Sequence, residues 1–89
     1  MSKMKDKVVL VTGSTRNTGY AIAAKLLEEG ASVAVNGREP EAVRQAVEGL
    51  SKLKGHSPVL AVPGDIARPE QVDAIFRKIE SAFGRLDAL

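Results

Sequence analysis

Short continuous apolar runs alternate along this chain with longer stretches in which apolar positions recur every three or four residues. Val8-Val9-Leu10-Val11 is unbroken and β-branched and is closed by Thr12-Gly13, which predicts a strand buried on both faces, as in a parallel sheet. After a loop from Gly13 to Gly19, Ala21, Ile22, Leu26 and Leu27 return at helical spacing, and Gly30 stands where a left-handed residue stops a helix. The unit then repeats. Ser32-Val33-Ala34-Val35-Asn36 predicts a second strand, and Val43, Ala46, Val47, Leu50 and Leu53 form the stripe of a second helix that ends at Gly55. Val59-Leu60-Ala61-Val62 predicts a third buried strand, ended by Pro63-Gly64. Val72, Ile75, Phe76, Ile79 and Phe83 make a third helix face before Gly84, with Pro69 suited to its first turn.

Leu86-Asp87-Ala88-Leu89 opens a fourth apolar run shorter than a typical strand of about five or six residues. Strands alternating with helices predict an α/β fold with right-handed crossovers, a partial doubly wound parallel sheet in the order βαβαβα followed by the start of a fourth strand. No linker, low-complexity segment or second domain interrupts it. The first strand is therefore expected to wait for a neighbour that the fourth run only begins.

Composition narrows the class without changing the fold. At 44% hydrophobic the 89 residues match a soluble globular chain, and a charged fraction of 27% argues against both disorder and membrane burial. A net charge of +2 gives no basic stripe, so nucleic acid is not an expected partner. The absence of cysteine excludes a disulfide framework, a thiolate metal site and a cysteine nucleophile, and is compatible with a reducing compartment. The segment from Met1 to Val11 lacks the apolar core and cleavage site of a signal peptide, and nothing reaches transmembrane length. The expected location is the cytoplasm, with no membrane partner.

Thr12-Gly13-Ser14-Thr15-Arg16-Asn17-Thr18-Gly19 falls at a strand-to-helix junction, where a sheet presents backbone N–H groups and a helix N-terminus to an anion. Gly13 permits a tight turn and Gly19 close packing, while Ser14, Thr15 and Thr18 add hydroxyls for a pyrophosphate or a helix cap. Placed between a buried strand and an amphipathic helix, with a second such unit following, this is the pattern of a Rossmann dinucleotide-binding fold. The plainer alternative is that both glycines serve only turn and packing. A nucleoside-triphosphate loop would need Gly-Lys before Ser or Thr, whereas Thr18-Gly19-Tyr20 has no lysine there.

At the end of the second strand, a site selective for NAD would carry an Asp or Glu for the ribose hydroxyls. Here the residues are Asn36-Gly37-Arg38, a neutral amide and a guanidinium that suit a 2′-phosphate, with Arg16 able to approach from the other side. That combination points to NADP(H), although either arginine alone also reads as a solvated charge. Asp65 and Ile66 follow the third strand: the carboxylate can accept from an adenine amino group while Ile66 packs the ring, or Asp65 can cap the helix that starts near Arg68 or Pro69.

Together these residues resemble the short-chain dehydrogenase/reductase family, from Lys7-Val8-Val9-Leu10-Val11-Thr12-Gly13 through Gly64-Asp65-Ile66 to Arg85-Leu86-Asp87-Ala88-Leu89. The flavour is that of NADP-dependent 3-oxoacyl-acyl-carrier-protein reductases. The resemblance implies that the loop Gly-x-x-x-Gly-x-Gly maps onto Gly13, Asn17 and Gly19, with Asn17 replacing the middle glycine by the residue that best tolerates positive φ. It also implies that Arg16 and Arg38 select NADP(H), that Asp65 and Ile66 hold adenine, and that the parent reduces a small-molecule carbonyl as a homo-oligomer. The family's catalytic Ser, and its Tyr with a Lys four residues later, have no counterpart here: four residues after Tyr20 stands Ala24. Residues 1–89 are accordingly expected to be the N-terminal part of one dinucleotide-binding domain, truncated before its catalytic half, with no catalytic residue. Tyr20 is expected to be a packing or surface residue, His56 a surface residue outside any metal site, and Glu28, Glu29, Glu41, Glu48, Glu70 and Glu80 solvated helix charges. The competing reading is a non-catalytic nucleotide-binding or interaction module of the same fold.

Overall fold

The computed structural model describes residues 7–13, 17–52 and 58–87. Ser14, Thr15, Arg16, Leu53, Gly55, His56, Ala88, Leu89 and the side chain of Asn17 lie outside the described residues. The elements are β1 (Val8–Val11), α1 (Asn17–Glu28), β2 (Ser32–Val35), α2 (Pro40–Ser51), β3 (Val59–Ala61) and α3 (Pro69–Phe83). The strands form one parallel sheet in the order β1-β2-β3, with Val9 beside Val33 and Val33 beside Val59.

Alternate strand residues point to opposite sheet faces, so each unbroken apolar run supplies two cores. Val9, Val33 and Val35 face α1 and α2, meeting Ala23, Leu27, Val43, Ala46 and Leu50. Val8, Leu10 and Ala34 face α3, meeting Ile75 and Ile79. Handedness explains the split. The connections from β1 to β2 and from β2 to β3 step in one direction, so right-handed crossovers put both helices on one face. The chain then returns along α3 on the other face to the free edge of β1. There Asp87 N donates to Val8 O at 2.8 Å, and Val8 N donates to Asp87 Oδ2 at 2.8 Å. The start of a fourth run alongside β1 and the doubly wound arrangement are both present.

Several local details depart from the sequence pattern. Helix α1 begins at Asn17, so Asn17, Thr18 and Gly19 belong to its first turn rather than to a loop. Its buried face is Ala23 and Leu27, whereas Ile22 is 48% exposed and Ala21 is also exposed. The small Ala23 lets the helix lie close to the sheet, and the 100° step per residue then turns Ala21 and Ile22 outward. Strand β3 is half-buried because it is the outer strand of the described sheet. In α3, Ile75 and Ile79 are buried one turn apart, while Phe76 lies off that stripe and is exposed. The stop at Gly30 agrees with expectation: its φ is +100°, and Ala31 N closes the end by donating to Leu26 O at 3.0 Å. Among the described residues no helix is long and apolar enough to cross a membrane.

Candidate functional site

Because the strands are parallel, their carboxyl ends share one edge of the sheet. The segments leaving β1, β2 and β3 meet the first turn of α1 there, around a cleft of about 1130 Å³. Gly13 turns the chain out of β1 with φ +62°. A β-carbon there would meet nothing within 4 Å among the described residues, so the torsion rather than crowding by them calls for glycine. Thr18 and Gly19 line the cleft from the first turn of α1, which holds no acidic residue. The positive end of the helix dipole therefore faces this space from a turn that carries no carboxylate of its own.

The β2 side carries the charge. Arg38 is exposed at the lip of the cleft, and among the described residues no carboxylate or carbonyl pairs with it. Gly37 brings no side chain to the position between Asn36 and Arg38. Asn36 lines the cleft but is itself buried, and its Nδ2 donates to Val62 O at 2.9 Å and to Gly64 O at 3.2 Å. Gly64 N in turn donates to Gly37 O at 2.9 Å. Glu39 follows Arg38 at the N-cap of α2, makes no side-chain cap bond and also borders the cleft.

On the β3 side, the structure corrects one of the two readings of Asp65. The N-cap of α3 is Arg68, which has no side-chain cap bond. Asp65 instead closes the turn before the helix: its Oδ1 accepts from Ala67 N at 2.9 Å, and its main-chain oxygen accepts from Arg68 N at 3.0 Å. The other oxygen, Oδ2, lies 3.9 Å from Arg68 Nε. Gln71 Oε1 accepts from Asp65 N and so anchors the turn from the first turn of α3. Ile66 stands 54% exposed on the cleft wall and offers it an apolar surface.

Of the residues singled out from the sequence, Gly13, Thr18, Gly19, Asn36, Gly37, Arg38, Asp65 and Ile66 border this one cleft. Ser14, Thr15, Arg16 and the side chain of Asn17 fall outside the described residues. Tyr20, Glu39, Ala42 and Gln45 also border the cleft and were not foreseen there. Gln71 was missed too, although a Gln three residues past an N-cap is a recognisable signal for a side chain that reaches back. Several of the other charges pair on outer helix faces: Lys25 with Glu28 at 3.1 Å, and Arg44 with Glu41 and Glu48. Such exposed pairs contribute little. Among the described residues no cluster of His, Cys, Asp or Glu could hold a metal.

The family model for short chain dehydrogenase matches residues 7–89. An uncharacterized oxidoreductase of Bacillus subtilis, YvrD, is 38% identical over 87 residues, which are 98% of this chain and 32% of that protein. The 3alpha-hydroxysteroid dehydrogenase of Mediterraneibacter gnavus is 35% identical over 97% of this chain and 34% of its own length. Among solved structures, L-sorbose reductase from Gluconobacter frateurii, complexed with NADPH and L-sorbose, superposes with a TM-score of 0.88 at 36% identity. The match covers 94% of this chain and 32% of that one. A metagenomic short-chain oxidoreductase in complex with NADP superposes with a TM-score of 0.86 at 30% identity, covering 99% of this chain and 39% of that one. The chain thus spans about a third of the length of the curated relatives it matches. With a parallel sheet wound on both faces, a positive-φ glycine leaving its first strand and a family match over nearly every residue, this chain belongs to the short-chain dehydrogenase family.

Proposed function

We propose that this chain is the NADP(H)-binding front part of one dinucleotide-binding domain, in an oxidoreductase that interconverts a carbonyl compound and an alcohol. The observation that carries the reading is Arg38: an exposed guanidinium at the lip of the cleft, without an ion-pair partner among the described residues, where Gly37 leaves no carboxylate to hold ribose hydroxyls. The complexes of L-sorbose reductase with NADPH and of the metagenomic oxidoreductase with NADP support the choice of cofactor.

The donor set suits the chemistry of that nucleotide. In this reading the amides of the turn at Gly13 and the first turn of α1, with the hydroxyls of Ser14, Thr15 and Thr18, bind the diphosphate. Arg38 and Arg16 bind the 2′-phosphate through charge-assisted bonds. Ile66 offers the adenine ring an apolar face, and Asp65 Oδ2 accepts from its amino group. When bound, the nicotinamide supplies or takes up hydride. In this reading the accompanying proton does not come from Tyr20, the one tyrosine of the sequence, which packs against the core shared with α2. For the whole protein, a 3-oxoacyl thioester is the first substrate to assay.

Titration calorimetry with NADP+ and NAD+ tests the cofactor reading. The expected preference for NADP+ is tenfold or more, about 1.4 kcal/mol, and Arg38→Asp should abolish or reverse it. Equal affinity of the unsubstituted protein for the two nucleotides would sink the proposal.

A further inference from the structure

Asn36 is a buried polar side chain set between the two walls of the cleft, with 3% of its surface exposed. The ladder between β2 and β3 continues past the strands: Val62 N donates to Val35 O at 2.9 Å and Gly64 N donates to Gly37 O at 2.9 Å. In a parallel ladder the rung between those two joins Gly37 N to Val62 O. Val62 O instead accepts from Asn36 Nδ2 at 2.9 Å, and the same nitrogen reaches Gly64 O at 3.2 Å. A side-chain amide therefore stands in for a main-chain rung. It joins the turn that carries Arg38 to the turn that carries Asp65 and Ile66.

We propose that Asn36 is a positioning residue that never touches the nucleotide: it fixes the spacing between the Arg38 guanidinium and the Asp65-Ile66 wall, and through that spacing selects nucleotides phosphorylated on the adenosine ribose. The inference rests on the proposed cofactor reading. Only an amide supplies two hydrogens at this place. A carboxylate of the same shape would set one oxygen, in the place of Nδ2, against two carbonyl oxygens, and an alanine would leave both carbonyls without this donor. In either case the two turns keep only the main-chain bond from Gly64 N to Gly37 O and lose the side-chain tie, and a ligand that needs both at once loses more than a ligand that needs one.

The test is a double-mutant cycle on the purified protein, read by calorimetry with adenosine 2′,5′-bisphosphate and 5′-AMP as probes. In the unsubstituted protein, Arg38→Ala should weaken the bisphosphate about tenfold and change 5′-AMP by less than about twofold. In the Asn36→Ala background, the same Arg38→Ala step should weaken the bisphosphate by about threefold or less, because the guanidinium is already out of register. Asn36→Ser, which keeps one donor, should fall between the two, and it decides the matter if Asn36→Ala does not fold. An Arg38 effect that stays near tenfold in the Asn36 variants overturns the positioning role while leaving the cofactor reading intact. If the unsubstituted protein binds both probes alike, the cofactor reading itself fails and this inference falls with it.

Discussion

The phenolic oxygen of Tyr20 in α1 rests over Gly49 of α2, 2.7 Å from the place that a β-carbon on that glycine would occupy. The two helices lie on the same face of the sheet, and Tyr20 is half-buried against their common core. A small residue in the last turn of α2 is what lets the ring fit. Gly49→Ala should therefore fail to show the gain of about 0.5–1 kcal/mol that such a change brings in an open helix. In a Tyr20→Phe background the next ring atom is 3.7 Å from that β-carbon, an ordinary contact. There the gain should appear. Thermal or denaturant melts of the four proteins check this, and a full gain from Gly49→Ala with Tyr20 in place would refute the contact.

Asp87 holds the fourth run against β1. The Arg85 guanidinium, and after it the Val8 N–H, keep its carboxyl below the usual carboxylate range. A carboxyl whose pKa is lowered by folding stabilises the fold above its unfolded value, near 3.9 for aspartate, and loses that contribution as pH falls through the folded value. Asp87→Asn should lower the melting midpoint at neutral pH, and the gap from the unsubstituted protein should close as the pH drops below about 4. A gap of constant size between pH 7 and pH 3 would contradict the assignment.

At Gly13 the constraint is torsional, since φ is +62° and no described residue crowds the place of a side chain. Gly13→Ala should cost about 1–2 kcal/mol of stability, the penalty for placing a β-carbon in the left-handed region. Gly13→Asn should cost less, because asparagine visits that region more readily. Equilibrium unfolding distinguishes the two, and equal losses would mean that crowding rather than torsion selects glycine.

Glu39 puts a carboxylate on the cleft wall next to Arg38. If a 2′-phosphate binds there, Glu39→Gln should tighten NADP+ by about two- to threefold at low ionic strength, with a smaller effect on NAD+. The gain should fade toward 1 M salt, where the screening length is about 3 Å. Titrations at two salt concentrations measure it, and a weaker NADP+ complex would show that Glu39 assists the site instead.

The order and type of every element were legible in the sequence, because strands buried on both faces and helices packed on one face leave different periods in a chain. Gly30, Pro69 and the residues at the carboxyl ends of β1, β2 and β3 were readable for the same local reason: turn torsions and strand ends are set by near neighbours. What the sequence could not decide depends on the third dimension. It offered Asp65 as an adenine contact or as a helix cap, and only the path of the chain shows its carboxylate closing a turn ahead of Arg68. It read Asn36 as part of an anion-binding strand end. Only the packing of β3 beside β2 reveals a buried amide bonded to carbonyls 26 and 28 residues away. The outward turn of Ile22 and the seat of Tyr20 on Gly49 likewise follow from which helix lies against which. Periodicity records which residues avoid water, whereas hydrogen-bond partners distant in sequence exist only once the sheet has brought them together.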